Sequence, residues 1–118
     1  MRLKSEIWVK AYLRSCAAAG ASAVVVRHGD DDAGAIFVKI SRLDGTGRLF
    51  GPAPAGLDSG SSWDRQLAAH LDGDAVTEAE IDAYLLRQAE FDSDLWVVEV
   101  EDRQGRHFLD GWVADESS

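Results

Sequence analysis

The sequence predicts an α+β fold in one domain, an antiparallel or mixed sheet of about five strands with two to three helices packed on one face. Three observations carry that expectation. Two segments, 5–19 and the stretch after Thr77, repeat apolar residues at helical spacing. Several short segments alternate apolar and polar residues or are rich in β-branched ones. Turn signals of hairpin type join neighbouring strand segments, where parallel strands would need longer crossovers. A chain of 118 residues has room for one domain over 1–118, with 115–118 an acidic tail expected to fray.

Residues 5–19 place Trp8, Tyr12, Cys16 and Ala19 on one helix face, flanked by Val9 and Ala11. Glu6, Lys10 and Arg14 fall on the opposite face, with Glu6 and Lys10 in the favourable i,i+4 order. Gly20 supplies the stop. Residues 23–28 are short and β-branched. Residues 35–42 alternate, with Ile36, Val38 and Ile40 on one side and Phe37, Lys39 and Ser41 on the other. Asp44-Gly45 marks a hairpin turn into 48–50, so 23–50 reads as an antiparallel meander. Residues 51–62 hold both prolines and read as a loop. Residues 63–71 fit either a helix or a strand, and the spacing of Trp63, Leu67 and Leu71 tips the reading towards a helix.

Thr77-Glu78-Ala79-Glu80 is a capping box that opens the second helix, with Ile81, Tyr84, Leu85 and Gln88 inward and Leu86 outward. Asp92-Ser93-Asp94 ends it. Residues 95–101 form the clearest strand, with Trp96, Val98 and Val100 inward and Glu99 and Glu101 outward. Residues 103–106 turn the chain into a last strand over 107–113. The expected order is α-β-β-β-(α or β)-α-β-β.

The formal charge of −9 repels phosphate backbones and anionic lipid, and the basic residues form no run, so neither nucleic acid nor membrane is an expected partner. A single cysteine, Cys16, excludes an internal disulfide and a four-cysteine zinc site. Glu6, Lys10 and Arg14 interrupt the apolar stretch that a signal peptide would need before Ala21-Ser22-Ala23, which points to the cytoplasm.

Arg27-His28-Gly29 follows the apolar run Val24-Val25-Val26 much as the nucleophilic histidine of the histidine-phosphatase superfamily follows its first strand. The resemblance spans about six residues, a full helix precedes it, and three aspartates follow whose charge opposes phosphate; a hairpin loop is the preferred reading. Asp30, Asp31 and Asp32 lack the alternating ligand spacing of a calcium loop. His70, Asp72 and Asp74 have no second cluster to close a metal site. Cys16, on the inner stripe of its helix, reads as a small buried hydrophobe rather than a nucleophile. No cofactor fingerprint is present.

Four tryptophans are the less ordinary feature. Trp8 and Trp96 sit on clear inner stripes and belong in the core. Trp63 and Trp112 have no such place, and a last strand with Phe108 and Trp112 on one face and Leu109 and Val113 on the other would be apolar on both sides.

Six segments, LKSEIWVKAYL at 3–13, DAGAIFVKI at 32–40, LFGPAP at 49–54, EIDAYLLRQ at 80–88, FDSDLWVVEVE at 91–101 and GRHFLDGW at 105–112, give the chain a further likeness. Together they resemble domain-of-unknown-function family 1491, a family of short, mainly alphaproteobacterial proteins. The resemblance implies a stand-alone bacterial intracellular domain; it implies no activity and no site residues. The reading from the residues is a non-enzymatic interaction or regulatory module with a protein partner or a second copy, its contact surface near Trp63, Phe108 and Trp112. The alternative is a small metal-dependent or phosphate-handling hydrolase using His28 with Asp30 and Asp32, and His70 or His107 if they converge.

Overall fold

The computed structural model describes residues 3–53, 65–71 and 76–113. Trp63, Asp72, Asp74 and the 115–118 tail lie outside the described residues. The elements are α1 (Ser5–Ala18), β1 (Ser22–Arg27), β2 (Ile36–Ser41), β3 (Gly47–Pro52), β4 (Leu67–Ala69), α2 (Glu78–Phe91) and β5 (Trp96–Glu101). The strands make one mixed sheet in the order β1-β5-β2-β3-β4.

The helices are not on one face, as hairpin-linked strands suggested; they lie on opposite faces. The reason is in β2 and β5, which are apolar on both sides and must be covered on both. Ile36, Val38, Ile40, Trp96, Val98 and Val100 point towards Trp8, Val9, Tyr12 and Cys16 of α1. Phe37, Leu95 and Val97 point towards Ile81 and Leu85 of α2. β5 therefore sits inside the sheet, between β1 and β2, parallel to β2 with Val38 opposite Val98, and antiparallel to β1 with Ala23 opposite Val100. This breaks the expected meander: β2 and β3 form the hairpin, with Ile40 opposite Arg48, while β1 pairs with β5 alone.

Residues 67–69 form strand β4, not a helix, because β3 offers an edge whose backbone they pair, Phe50 opposite Ala69 and Pro52 opposite Leu67. The expected last strand over 107–113 is absent. Phe108 at φ 54° and Gly111 at φ 89° interrupt any extended run there, and Trp112 N–H donates to the Leu109 carbonyl in a turn. The turn brings Leu109 and Trp112 onto the same core as α1, and the Tyr12 hydroxyl donates to the His107 carbonyl to hold them there.

Both helices end as their residues dictate. Gly20, at φ 82°, donates to the Ala17 carbonyl while Ala21 N–H donates to that of Cys16, a Schellman stop. Thr77 and Glu80 form the reciprocal capping box of α2. On the α2 face the Lys39 ammonium, 6% exposed, meets Asp82 at 2.9 Å, Glu78 at 3.1 Å and Glu99 at 3.6 Å, which pins the start of α2 to the sheet.

Candidate functional site

The aspartates after His28 work inside the fold. Asp30 accepts from the backbone N–H groups of Asp32 and Ala33, and its carbonyl accepts from Trp96 Nε1 at 2.8 Å. The carbonyls of Asp31 and Asp32 accept from the N–H groups of Glu6 and Ser5, satisfying amides that open α1. Gly29 and Gly34 lie so close to the Asp94 carbonyl that a Cβ at either would collide with it. His28 lies at the surface, its ring 4.0 Å from that of Trp96 and its Nε2 2.7 Å from an Asp31 carboxylate oxygen. The loop 28–34 is thus a clasp between α1 and the start of β5.

The other candidates lie on separate elements. His70 hydrogen-bonds through Nε2 to the Pro52 carbonyl and through Nδ1 to the Tyr84 hydroxyl. A carbonyl only accepts, so Nε2 carries a proton, and in the neutral ring Tyr84 donates to Nδ1. His107 Nδ1 accepts from Leu109 N–H, which leaves the neutral ring's proton on Nε2, and its ring stands edge-on to Phe50. Cys16 is fully buried, and burial pushes its thiol pKa up, as it does for the Tyr12 phenol beside it. Among the described residues, no group of three or more His, Cys, Asp or Glu side chains is placed to hold a metal ion. Trp112 is half-buried, its ring 5.0 Å from Trp8 and 6.4 Å from Tyr12. Phe108 is half-buried beneath the Arg106 guanidinium at 5.3 Å.

A surface that the sequence did not suggest lies at β1. This strand is the outer edge of the sheet, and Val24 and Val26 are 54% and 55% exposed. Val24 faces the α2 side, opposite Glu99, but α2 covers the neighbouring strands and leaves β1 bare. Between them runs an apolar groove of about 320 Å³, walled by Val26, Leu85, Leu86, Ala89 and Val97, with Arg27 and Asp82 also on its lining. Leu86, at 70% exposed, stands on its rim. The run Val24-Val25-Val26 looks in sequence like a buried strand, and only its position at the edge exposes it. Leu86, outward on the helical spacing, was the available signal.

Residues 3–110 match the family described as protein of unknown function (DUF1491). The chain belongs to that family. The crystal structure of a DUF1491 family protein from Caulobacter crescentus CB15 has a TM-score of 0.78 and 41% identity, covering 98% of this chain and 100% of that one. An NMR structure of a DUF1491 family protein from the same organism gives 0.77 and 42%, over 98% and 99% of the two chains. A solution structure of a protein from A. tumefaciens gives 0.72 and 44%, over 86% of each chain. No curated protein matches. The DUF1491 description attaches no activity to the fold. No helix among the described residues is long and apolar enough to cross a membrane.

Proposed function

We propose that this DUF1491 protein is a non-enzymatic interaction module that takes an extended segment of a protein partner along β1. The observation that carries this is the bare edge itself. A sheet edge presents backbone donors and acceptors that another extended backbone satisfies, and here that edge adjoins an apolar groove ready for alternate side chains. One cation, Arg27, and one anion, Asp82, stand on an otherwise apolar lining, so the fitting segment is apolar. Self-pairing of two chains of charge −9 is disfavoured by the same charge. The Phe108–Trp112 region is the weaker contact surface, since the Trp112 ring is already packed on Trp8 and Tyr12. The proposed setting is the bacterial cytoplasm, in keeping with a buried, unpaired Cys16 and the sources of the related structures. Nucleic acid and membrane remain outside the proposed partners on charge.

The test is a complex reconstituted from purified components with a partner identified from native cells. Hydrogen exchange should slow at the β1 amides on binding, and Val24→Lys together with Val26→Lys should abolish binding while leaving the melting temperature within a few degrees. Unchanged exchange at β1, or full binding by the double variant, would rule the reading out. A dimer of this chain through β1 would also overturn it, in favour of self-pairing.

A further inference from the structure

Which backbone groups β1 offers at its free edge is set by the bonding of β5 on its other side. Trp96 N–H donates to the Ala35 carbonyl and Asp102 N–H to that of Ser41, so β5 turns the backbone groups of Trp96, Val98, Val100 and Asp102 towards β2. Those of Val97, Glu99 and Glu101 then face β1, where Val24 stands opposite Glu99 and Ser22 opposite Glu101. Ser22 and Val24 therefore use their N–H and C=O groups inside the sheet. Ala23 and Val25, opposite Val100 and Val98, turn theirs outward.

That outward row is short at both ends. Ala21 N–H is committed to the Cys16 carbonyl in the stop of α1. After Val25 the strand bulges, with Val26 the extra residue between the Val25–Val98 and Arg27–Val97 pairs. The bulge breaks the alternation of side chains, which is why the neighbours Val26 and Arg27 both line the groove beside α2. Arg27 Nη2 donates to the Ser93 carbonyl at 3.1 Å and ties that end of the strand to the segment after α2.

We propose that β1 reads a short extended segment in one register, bonded through Ala23 and Val25 and anchored by one long apolar side chain, Leu, Met or Phe. The proposal rests on β1 being the recognition edge and adds to it the register and the anchor. Four outward backbone groups engage about three partner residues in antiparallel pairing and about five in parallel. In either direction the partner residue level with Val24 points its side chain to the α2 face, as Val24 does. An added strand lies about 4.8 Å outside β1, so that side chain crosses the edge before it reaches Val26 and Leu86 in the groove. Ala and Val are too short for the crossing. A slip of one residue would turn the anchor to the opposite face, where Ala21 and Ala23 already pack on the core under α1.

The experiment uses the full ¹⁵N-labelled chain and blocked pentapeptides Thr-Val-X-Val-Thr, with X as Leu, Phe or Ala, followed by NMR titration and amide exchange. In the free protein Val24 N–H should exchange slowly and those of Ala23 and Val25 fast. Saturation with the leucine peptide should slow Ala23 and Val25 by roughly tenfold or more and leave Val24 unchanged. The alanine peptide should bind roughly tenfold more weakly than the leucine or phenylalanine one. Val25→Pro removes an outward donor without touching the bonds to β5, and should also weaken the leucine peptide by roughly tenfold. The peptide series and the exchange pattern carry the test if that variant does not fold. Protection of other β1 amides, or equal affinity for the leucine and alanine peptides, would overturn the register and the anchor while leaving β1 a recognition edge. No saturable shift at β1 with any of the three peptides would overturn edge recognition and this proposal together.

Discussion

On one face of the sheet α1 and the segment 107–113 lie side by side over Ile36, Val38, Phe50, Trp96 and Val98, and together they bury most of it. On the other face α2 lies alone over Phe37, Leu49 and Val97, and its cover stops one strand short, at β1. The first face carries three of the four tryptophans; the second carries an ion cluster and no tryptophan among its described residues. The difference teaches where stability and recognition are divided. The better-covered face holds most of the core, and the face left open at one strand is where the proposed partner would pair.

The largest expected effect tests the better-covered side. Trp8→Ala should destabilise the fold by about 4 kcal/mol, measured by urea denaturation, because a fully buried indole stacked on Tyr12 leaves a cavity that the sheet cannot close. A loss below 1 kcal/mol would mean that this face is looser than its packing implies.

Next comes Lys39→Met. It leaves Glu78, Asp82 and Glu99 without their common cation; since these carboxylates are partly exposed, the loss should be about 2 kcal/mol, below that of a fully buried pair. The same site gives a pH signature. Burial alone would depress the Lys39 pKa, but the hydrogen-bonded Asp82 and Glu78, with Glu99 nearby, raise it above its ordinary value. Its contribution is therefore complete below about pH 10.4 and is lost as pH rises through the folded-state pKa. Tyr12 acts in the same direction, since burial keeps its phenol neutral while the unfolded chain ionises above about pH 10. Wild-type stability should fall as pH rises above about 10, and Lys39→Met should show a shallower fall; an equal slope would remove Lys39 from the account.

Thr77→Ala should cost about 1 kcal/mol through the lost cap of α2, read from thermal melts. The smallest effect is the sharpest for the comparison. Leu86→Ser should change stability by less than about 0.5 kcal/mol, since the side chain is mostly in water, yet weaken peptide capture in a pull-down with the purified partner. A large stability loss there would show that the open face is core after all.

Local chemistry was legible in the sequence. The capping box at Thr77, the stop at Gly20, the Trp8–Tyr12–Cys16 stripe and the two-sided alternation of 35–42 all appear in the fold as read. What was hidden was long-range. Nothing in the residues 23–28 says that 96–101 will lie between them and 36–41, because periodicity fixes which way side chains point and not which strand is neighbour. The absent last strand had a local clue, since Asp110-Gly111 is a turn dipeptide inside the stretch 107–113.

The place of β5 between β1 and β2 has a consequence for how the molecule is made. As the chain leaves the ribosome, β1 and the β2–β3 hairpin emerge early, with no strand yet available to join them. They remain apart until residues 96–101 follow and take the place between them. Until that moment the chain exposes two unmated strand edges, the kind of surface on which aggregation starts.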